Sequence, residues 1–366
     1  MNMDLSVKVG PQFYKYHEDA FSLIPAILSE YKPKRILIVH GTLSWIKAKP
    51  FLQDIFSDQY EWFFEKYSGE CSYSEGERIA ALIDANMIDF VIGVGGGKLA
   101  DLTLYICHLA NVPFGIIPTL ASNCASWTPL SVMYKENGLA EGKTEHVNRQ
   151  AVFLMVNPQL VIDSPVEYYV AGIADTLAKW YESDMILEQK EFLDAPFTSM
   201  ARSAALICKN TILEKSSIAI EDMKKGFVSN EFLQVSEIII GIAGLVGGLG
   251  DKYARNTVAH SMHDALSASL PELHKFLHGE KVAYGIFFQL ALEEKWEMID
   301  ELIPFYNDLN LPKSLTEMDA YPLSEEKQKE IICLTNKKKK VHLLPIEVNE
   351  ERLSKAMIDL ENYINK

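Results

Sequence analysis

Short apolar runs alternate with helical patterns in the first part of the chain. The runs that predict strands, which are rich in β-branched or other apolar residues, are residues 35–39, 89–93, 112–117 and 151–156. Between them, residues 75–87 and 98–110 place apolar side chains at helical spacing. Strands that alternate with crossover helices form a parallel sheet that is covered by helices. The pattern therefore predicts an α/β region with a parallel, Rossmann-like sheet.

The pattern changes after about residue 165. Long helical patterns then follow one another with few strand signals, at residues 166–188, 198–213, 231–249 and 255–269. Pro158 and Pro165 bracket a short extended segment, and Pro165 suits the first turn of a helix. We therefore expect a nucleotide-binding α/β domain over residues 1–162 and an all-α, metal-binding domain over residues 163–366.

Composition narrows the class of protein. The chain has 366 residues, 48% of them hydrophobic, which suffices for large cores, and its formal net charge of −15 opposes binding to nucleic acid or anionic lipid. We expect no secretory signal, because the first thirty residues mix charged with apolar side chains. The longest apolar stretch, residues 238–250, is too short to span a membrane and predicts a buried helix. Five scattered cysteines without a CxxC pair favour a reduced, cytoplasmic setting.

A glycine-rich segment, residues 93–101, follows a predicted strand and begins a predicted helix. The free N–H groups of a helix N-terminus bind phosphate, and glycines let a pyrophosphate approach the backbone closely. Lys98 stands where the last glycine of a GxGxxG motif belongs, and Leu99 replaces the Ser or Thr of a P-loop. The segment thus indicates phosphate binding without matching either familiar motif, and a simple tight turn is the alternative.

Four of the nine histidines lie within residues 260–278. His260 and His263 share one helical face, Pro271 breaks the helix, and His274 and His278 stand four residues apart. Two segments that converge in this way can bind zinc or ferrous iron through neutral imidazoles, with a coordination position left for substrate. A single histidine would more often be an ordinary core or surface residue, but four together favour a metal site.

A carboxylate ligand is predicted at Asp175, which lies in an otherwise apolar helix start, residues 172–180. An unpaired buried charge is costly, so this aspartate needs a cation. The alternative is an acid that caps the first turn of the following helix.

Together these motifs resemble the iron-containing alcohol dehydrogenase superfamily, in particular its glycerol dehydrogenase branch. The resemblance covers nearly the whole chain and depends on residues 95–101, 118–122, 172–175, 260–263 and 278–281. It implies a dehydroquinate synthase-like fold, an active site in the cleft between the domains, and a homo-oligomer that acts on a small hydroxy or oxo substrate. It implies metal ligands at Asp175, His260 and His278, with His263 facing nicotinamide and substrate. There His263 either relays the proton of the reaction through a hydroxyl or water, or has a structural role behind the ligands. The cofactor contacts that it implies are Gly95, Gly96, Gly97, Lys98 and Asp101 at the pyrophosphate, and Thr119, Ser122, Thr128, Leu130 and Tyr134 around the nicotinamide.

Three departures from the branch sharpen these expectations. Lys179 occupies the position of the fourth, histidine ligand of iron-dependent members, which favours zinc over iron. Cys124 replaces the aspartate that contacts glycerol in glycerol dehydrogenases. The chain therefore looks more like the hydroxycarboxylate dehydrogenases, which reduce 2-oxo acids. We expect Cys124 to line the pocket rather than to act as a nucleophile. His40-Gly41-Thr42 lacks the aspartate of NAD-preferring relatives, so NAD and NADP both remain open.

The predicted activity is therefore metal-dependent, NAD(P)-linked interconversion of a 2-hydroxycarboxylate and its carbonyl. Glycerol oxidation to dihydroxyacetone is the first alternative. A lyase similar to dehydroquinate synthase is the second, although such a site needs several Lys or Arg residues, and only Lys179, Arg255, Lys275 and Lys281 are near in sequence. A catalytically silent binding protein is a third. The run Lys337–Lys340 is expected to be a solvated helix end or loop, and the binding of an anion is the alternative.

Overall fold

A computed structural model describes residues 4–366. Its strands are β1 (Phe13–Tyr16), β2 (Arg35–His40), β3 (Glu61–Lys66), β4 (Phe90–Gly95), β5 (Phe114–Pro118), β6 (Leu130–Tyr134), β7 (Ala140–His146) and β8 (Phe153–Val156). Six of them form one sheet in the order β1-β8-β5-β4-β2-β3, in which every pair is parallel. The remaining two, β6 and β7, form an antiparallel ribbon. The predicted parallel sheet is confirmed.

Helices alternate with the strands of the sheet and make up most of the chain after residue 157. They are α1 (Ile24–Tyr31), α2 (Thr42–Ala48), α3 (Tyr73–Ala85), α4 (Gly97–Leu109), α5 (Pro158–Ile162), α6 (Val166–Leu187), α7 (Lys190–Leu193), α8 (Pro196–Lys224), α9 (Asn230–Glu237), α10 (Ala243–Gly250), α11 (Val258–Ser269), α12 (His278–Leu292), α13 (Trp296–Leu309), α14 (Glu325–Asn336) and α15 (Glu350–Ile364). Short 3₁₀ helices span Ala20–Leu23, Lys49–Ile55, Asp251–Tyr253, Pro271–Lys275 and Lys339–Leu343, and a π-helical turn, Ile238–Ile242, joins α9 to α10. The predicted helical C-terminal part is also confirmed.

The four strands predicted from apolar runs, β2, β4, β5 and β8, are the four central strands of the sheet. Central parallel strands are buried on both faces, and all six residues of β4 are buried. The strands that the pattern missed, β1 and β3, lie at the two edges. Edge strands are partly exposed and carry mixed side chains, so their sequences give a weaker signal.

The chain forms two compact units, each assembled from several segments. Among the described residues, one unit comprises residues 10–169 and 221–244, and the other comprises residues 4–9, 170–220 and 245–366. The first unit includes the helical segment 221–244 because Trp127 packs against Gly241 and Gly244, and the Tyr14 hydroxyl donates a hydrogen bond to Glu237. The sequence analysis expected a single division at residue 162, because hydrophobic periodicity does not report such distant contacts.

The apolar stretch around residues 238–250 belongs to a longer helix than expected. Among residues 4–366, Asn230–Tyr253 is the one helix that is long and apolar enough to cross a membrane. Its most apolar window is 72% buried inside the protein. This degree of burial is typical of a core helix, in agreement with the predicted buried helix.

Two glycines let α12 approach its neighbours in the second unit closely. A Cβ atom at Gly279 would lie 1.8 Å from the carbonyl oxygen of Ala171 in α6, and one at Gly285 would lie 2.4 Å from the carbonyl oxygen of Ala259 in α11. No side chain fits at either distance. The first turn of α12 is therefore held directly against α6, which fixes where His278 stands.

Replacement of Gly279 by Ala should destabilise the protein. The added methyl group overlaps the Ala171 carbonyl oxygen, so we expect the free energy of unfolding to fall by about 1–3 kcal/mol. Gly247→Ala, in helix α10, is the matched control. A Cβ atom at Gly247 would lie 3.4 Å from its nearest neighbour, the side chain of Arg255, which is an ordinary van der Waals contact. The control should stabilise the protein by about 0.4–1 kcal/mol. Urea unfolding measures both, and equal stabilities of the two variants would contradict the close approach.

Candidate metal centre

Three helices of the second unit bring three metal-binding side chains together. Asp175 is the tenth residue of α6, His260 the third of α11 and His278 the first of α12. The Nε2 atoms of His260 and His278 lie 3.1 Å and 3.2 Å from Oδ1 of Asp175. One donor atom from each residue falls within 4.8 Å of the other two.

Asp175 lies in the middle of its helix, so the alternative in which it caps the first turn is wrong. The side chain is buried, and burial alone would raise the pKa of its carboxyl group. The charge of Lys179, one helical turn along, and the two imidazoles outweigh burial and hold the pKa well below its usual range. The carboxylate is thus kept ionised, which is the form that binds a metal.

Glu182 orients the ring of His260, and the sequence analysis missed it. Its Oε2 lies 2.5 Å from Nδ1 of His260, while its Oε1 accepts hydrogen bonds from the backbone N–H groups of Thr257 and His260 at 2.7 Å and 2.9 Å. Burial would raise the pKa of Glu182, but its contacts with His260 lower it. The signal in the sequence is its spacing, since position 182 lies two helical turns after Asp175 on the same face of α6.

A second side chain secures the same end of α11. The amide oxygen of Gln289, in α12, accepts a hydrogen bond from the Ala259 N–H and lies 3.2 Å from the Thr257 hydroxyl. The first N–H groups of a helix have no partner within the helix. Here Glu182 and Gln289 provide those partners, so the start of α11 is fixed to both α6 and α12.

A chain of hydrogen bonds leads from His278 to Asp264. Nδ1 of His278 lies 3.1 Å from Nε2 of His263, whose Nδ1 lies 3.1 Å from Oδ1 of Asp264. Burial lowers the pKa of His263 to about 3, so this ring is neutral. If Nε2 of His278 is left for a metal, its Nδ1–H donates to His263, and His263 in turn donates to Asp264. These bonds favour a role for His263 in orienting His278, rather than the predicted contact with nicotinamide and substrate.

The donor set fits a divalent metal such as zinc. Ligand atoms about 2.1 Å from a tetrahedral ion lie about 3.4 Å from one another, close to the spacing of the Nε2 and Oδ1 atoms here. Both imidazoles also engage their other ring nitrogen, one with Glu182 and one with His263, as metal-binding histidines commonly do. One carboxylate and two imidazoles leave a coordination position for substrate.

Two other features that the sequence analysis singled out lie in this unit. His274 lies outside the metal-binding group, and its Nε2 is 3.2 Å from the carbonyl oxygen of Ser267. The run Lys337–Lys340 is only partly solvated, because Nζ of Lys338 lies 3.1 Å, and Nζ of Lys340 lies 3.9 Å, from Oδ2 of Asp264. The sequence could not show this, since more than seventy residues separate the partners.

The glycine loop of the first unit has the predicted setting. Strand β4 ends at Gly95, and α4 begins at Gly97. The Thr119 N–H donates a hydrogen bond to the Gly95 carbonyl, and a Cβ atom at Gly97 would lie 2.5 Å from the side chain of Asn123. The loop therefore lies against residues 119–123, and packing alone accounts for the glycine at position 97.

Three of the predicted cofactor residues, Lys98, Asp101 and Tyr134, lie in or next to the first turns of α4. Nζ of Lys98 lies 4.8 Å from the centre of the Tyr134 ring, and it pairs with Glu70 at 2.6 Å. Asp101 points elsewhere: it is buried, and its Oδ2 accepts a hydrogen bond from the Val132 N–H at 3.2 Å. Burial raises the pKa of Asp101 well above its usual range. This placement favours a structural role in joining α4 to β6 over the predicted contact with pyrophosphate.

The other predicted residues of the first unit lie between β5 and the end of β6. Cys124 is buried, and its carbonyl oxygen accepts a hydrogen bond from the Thr128 N–H at 3.2 Å. Ser122 and Thr128 are half-buried in the same segment, and Leu130 begins β6. These residues belong to the segment that follows β5 and lies against the glycine loop at Thr119 and Asn123, and their predicted roles remain predictions.

Comparisons with known proteins identify the family and the fold of this chain. A family model described as iron-containing alcohol dehydrogenase matches residues 11–162. The chain is 32% identical over 360 residues to hydroxycarboxylate dehydrogenase A of Escherichia coli, covering 98% of both chains, and 31% identical over 303 residues to a glycerol dehydrogenase of Thermotoga maritima, covering 81% of both. Its fold matches the crystal structure of glycerol dehydrogenase from Schizosaccharomyces pombe with a TM-score of 0.86 at 24% identity, covering 99% of this chain and 92% of that one.

Replacement of Glu182 by Gln should weaken metal binding. The amide oxygen of Gln can still accept the hydrogen bonds from the Thr257 and His260 backbone N–H groups. Its NH₂ group, however, faces the Nδ1–H of His260, and two donors cannot form a hydrogen bond. We expect zinc affinity, measured by competition with a chelator, to fall roughly 10- to 100-fold. Glu188→Gln, at an exposed position just after the same helix, is the control and should bind zinc like the unaltered protein. Unchanged affinity in Glu182→Gln would show that this carboxylate does not orient His260.

Replacement of His263 by Ala separates the two roles considered for this residue. A residue that orients His278 contributes to metal affinity, so we expect zinc binding to weaken roughly 10- to 100-fold. A proton relay would instead lower kcat while zinc affinity stayed unchanged. Zinc titration of the variant beside steady-state kinetics at saturating zinc decides between them.

Proposed function

Since this chain belongs to the iron-containing alcohol dehydrogenase family, we propose that it interconverts a 2-hydroxycarboxylate and the corresponding 2-oxo acid, with NAD or NADP as hydride carrier. The observation that carries the proposal is the convergence of Asp175, His260 and His278 on one point. A carboxylate and two imidazoles form a site for a divalent metal, and we favour zinc over iron because Lys179, one turn beyond Asp175, offers no fourth histidine.

A divalent metal held by these residues supplies a Lewis acid for the oxygen of the alcohol or carbonyl. The residues of the chain prepare the site for it. Glu182 and His263 fix the orientation of the two imidazoles, so that both Nε2 atoms are directed to Oδ1 of Asp175. Preorganisation of this kind avoids the cost of ordering ligands during the reaction.

The substrate class rests on two supports. Cys124 stands where the resemblance to glycerol dehydrogenases predicts an aspartate, and the loss of that carboxylate removes a group that would repel an anionic substrate. A relative that matches over 98% of the chain is named a hydroxycarboxylate dehydrogenase. Glycerol oxidation is the second candidate, because other relatives carry the name glycerol dehydrogenase.

The nicotinamide cofactor is assigned to the glycine loop. The first turn of α4 presents backbone N–H groups that suit a pyrophosphate. After β2 the chain continues with Gly41 and Thr42, so no carboxylate stands there to repel the 2′-phosphate of NADP. The choice between the two cofactors is therefore part of the test.

The proposal predicts turnover of 2-oxo acids by the zinc-loaded protein. Oxidation of NADH and NADPH, followed by absorbance, should be fastest with acids such as 2-oxobutanoate and 2-oxoglutarate, and slower with dihydroxyacetone or simple aldehydes. Faster turnover of glycerol with NAD would favour the second candidate. The absence of turnover with every carbonyl and alcohol, despite bound zinc, would refute the dehydrogenase proposal.

The metal ligands are tested by His260→Ala. Loss of one of three ligands should abolish stoichiometric zinc binding and, with it, the activity. His274→Ala is the matched control, because His274 lies outside the metal-binding group, and it should retain zinc at full stoichiometry. Full zinc content in His260→Ala would refute the ligand assignment.

A further inference from the structure

Helix α12 begins at the metal-binding residue His278 and is followed at its other end by a buried carboxylate, that of Glu293. This side chain is 1% exposed, and its Oε2 lies 2.8 Å from Nζ of Lys295. Burial raises the pKa of its carboxyl group, against the opposing effects of Lys295 and Gln289. Since an apolar side chain would fill this space without the cost of burying a carboxylate, the contacts of Glu293 indicate a specific role.

Glu293 contacts Gln289, which lies one turn earlier on α12. Nε2 of Gln289 donates two hydrogen bonds of 2.8 Å, one to Oε1 of Glu293 and one to the Tyr181 carbonyl oxygen in α6. The amide oxygen of Gln289 faces the start of α11, where it accepts the Ala259 N–H and lies near the Thr257 hydroxyl, both at 3.2 Å. Gln289 has no exposed surface, so each of these bonds is formed inside the protein.

These four contacts allow one orientation of the Gln289 amide. An amide offers two N–H donors and one oxygen that accepts up to two hydrogen bonds. If the amide were turned over, its oxygen would face the Glu293 carboxylate and the Tyr181 carbonyl, while its NH₂ group would face the Ala259 N–H. A charged acceptor forms a stronger hydrogen bond than a neutral one, so Glu293 contributes more to this orientation than the Tyr181 carbonyl does.

The oriented amide acts on the backbone next to a metal ligand. Ala259 directly precedes His260, whose own N–H donates to Glu182 at 2.9 Å. Two consecutive N–H groups of α11 are thus held by buried side chains from two other helices. Gly285, one turn before Gln289, also faces Ala259, since a Cβ atom there would lie 2.4 Å from the Ala259 carbonyl oxygen. The position of this turn decides where the His260 side chain points, because a helix fixes the direction of each Cβ atom.

We propose that Glu293 is a positioning residue of the metal centre: it sets the orientation of the Gln289 amide, and Gln289 holds the first turn of α11 where His260 can bind the metal. This inference rests on the metal site of the proposed function, but not on the identity of the substrate or the cofactor. Because Glu293 acts through Gln289, its effect on metal binding should depend on the presence of Gln289.

A double-mutant cycle in zinc affinity tests this dependence. Glu293→Met removes the acceptor at a similar side-chain length, so we expect the zinc Kd, measured by competition with a chelator, to rise roughly 3- to 10-fold. Gln289→Met should raise it at least as much, and Glu293→Met/Gln289→Met should raise it no further than Gln289→Met alone. Glu297→Met is the control, because it removes an exposed carboxylate from the next helix, α13, and should bind zinc like the unaltered protein.

Two conservative variants at the same position separate the acceptor from the charge. Glu293→Gln keeps an oxygen that can accept the bond from Nε2 of Gln289, so its zinc Kd should stay within about twofold of the unaltered value. Glu293→Asp keeps the charge but withdraws the acceptor by one methylene group, so its zinc Kd should rise. If Glu293→Met does not fold, the cycle with Gln289→Met is measured with Glu293→Asp.

Cobalt(II) in place of zinc provides a readout that depends on neither turnover nor stability. The visible absorption bands of cobalt(II) change with its coordination geometry. At saturating cobalt, Glu293→Met and Gln289→Met should alter these bands in the same way, whereas Glu293→Gln and Glu297→Met should keep those of the unaltered protein. A Glu293→Met protein with a lower melting temperature but unchanged bands and zinc Kd would overturn the inference.

The outcomes separate this inference from the proposed function. If the unaltered protein binds zinc and the effects of the two single methionine variants multiply in the double variant, the inference is wrong and the proposed function stands. If the cycle gives the expected result but no carbonyl or alcohol is turned over, the inference stands and the dehydrogenase proposal fails. A protein that binds neither zinc nor cobalt would refute the metal site and this inference together.

Discussion

The contact between Glu182 and the start of α11 is the constraint on which the metal-binding group depends. One carboxylate oxygen accepts hydrogen bonds from the backbone N–H groups of Thr257, just before α11, and His260. The other oxygen lies 2.5 Å from Nδ1 of His260. Glu182 and Asp175 lie on the same face of α6. The start of α11, the imidazole of His260 and the carboxylate of Asp175 are therefore held in fixed positions relative to one another. A shift of α11 would leave a buried charge without its donors, which costs more than the loss of an ordinary hydrogen bond.

Residue type indicated a metal site near Asp175 and the clustered histidines, and the family resemblance selected the three donors, whereas the groups that hold these donors were not predictable. Asp175, His260 and His278 stand out because an acid in an apolar helix and clustered histidines are unusual. Glu182 does not, since a glutamate in a long helix resembles any solvated residue until its burial is known. Nor could the sequence show that Lys340 meets Asp264, because that pairing depends on how α14 and the following turn pack on α11.

The fold shows a similar division between what the pattern reports and what it omits. Continuous apolar runs identified the central strands β2, β4, β5 and β8, whose two faces are both buried. The edge strands and the β6–β7 ribbon were not predicted, because strands that are partly exposed carry polar residues that interrupt an apolar run. Residues 221–244 belong to the first unit, although the residues on either side of them belong to the second. This assignment depends on the packing of Trp127 against two glycines that follow it by more than 110 residues in the sequence.

The net charge of −15 does not by itself oppose the anionic substrate proposed above, because charge acts over a limited distance in solution. At physiological ionic strength, charges separated by more than about 8 Å of solvent are largely screened. The groups that act on a bound ligand are therefore those nearest to it, and at the metal-binding group Asp175 and His260 are buried, so screening there is weak. The acidic surface then influences solubility and encounter, while the charges at the metal-binding group act directly on a bound ligand.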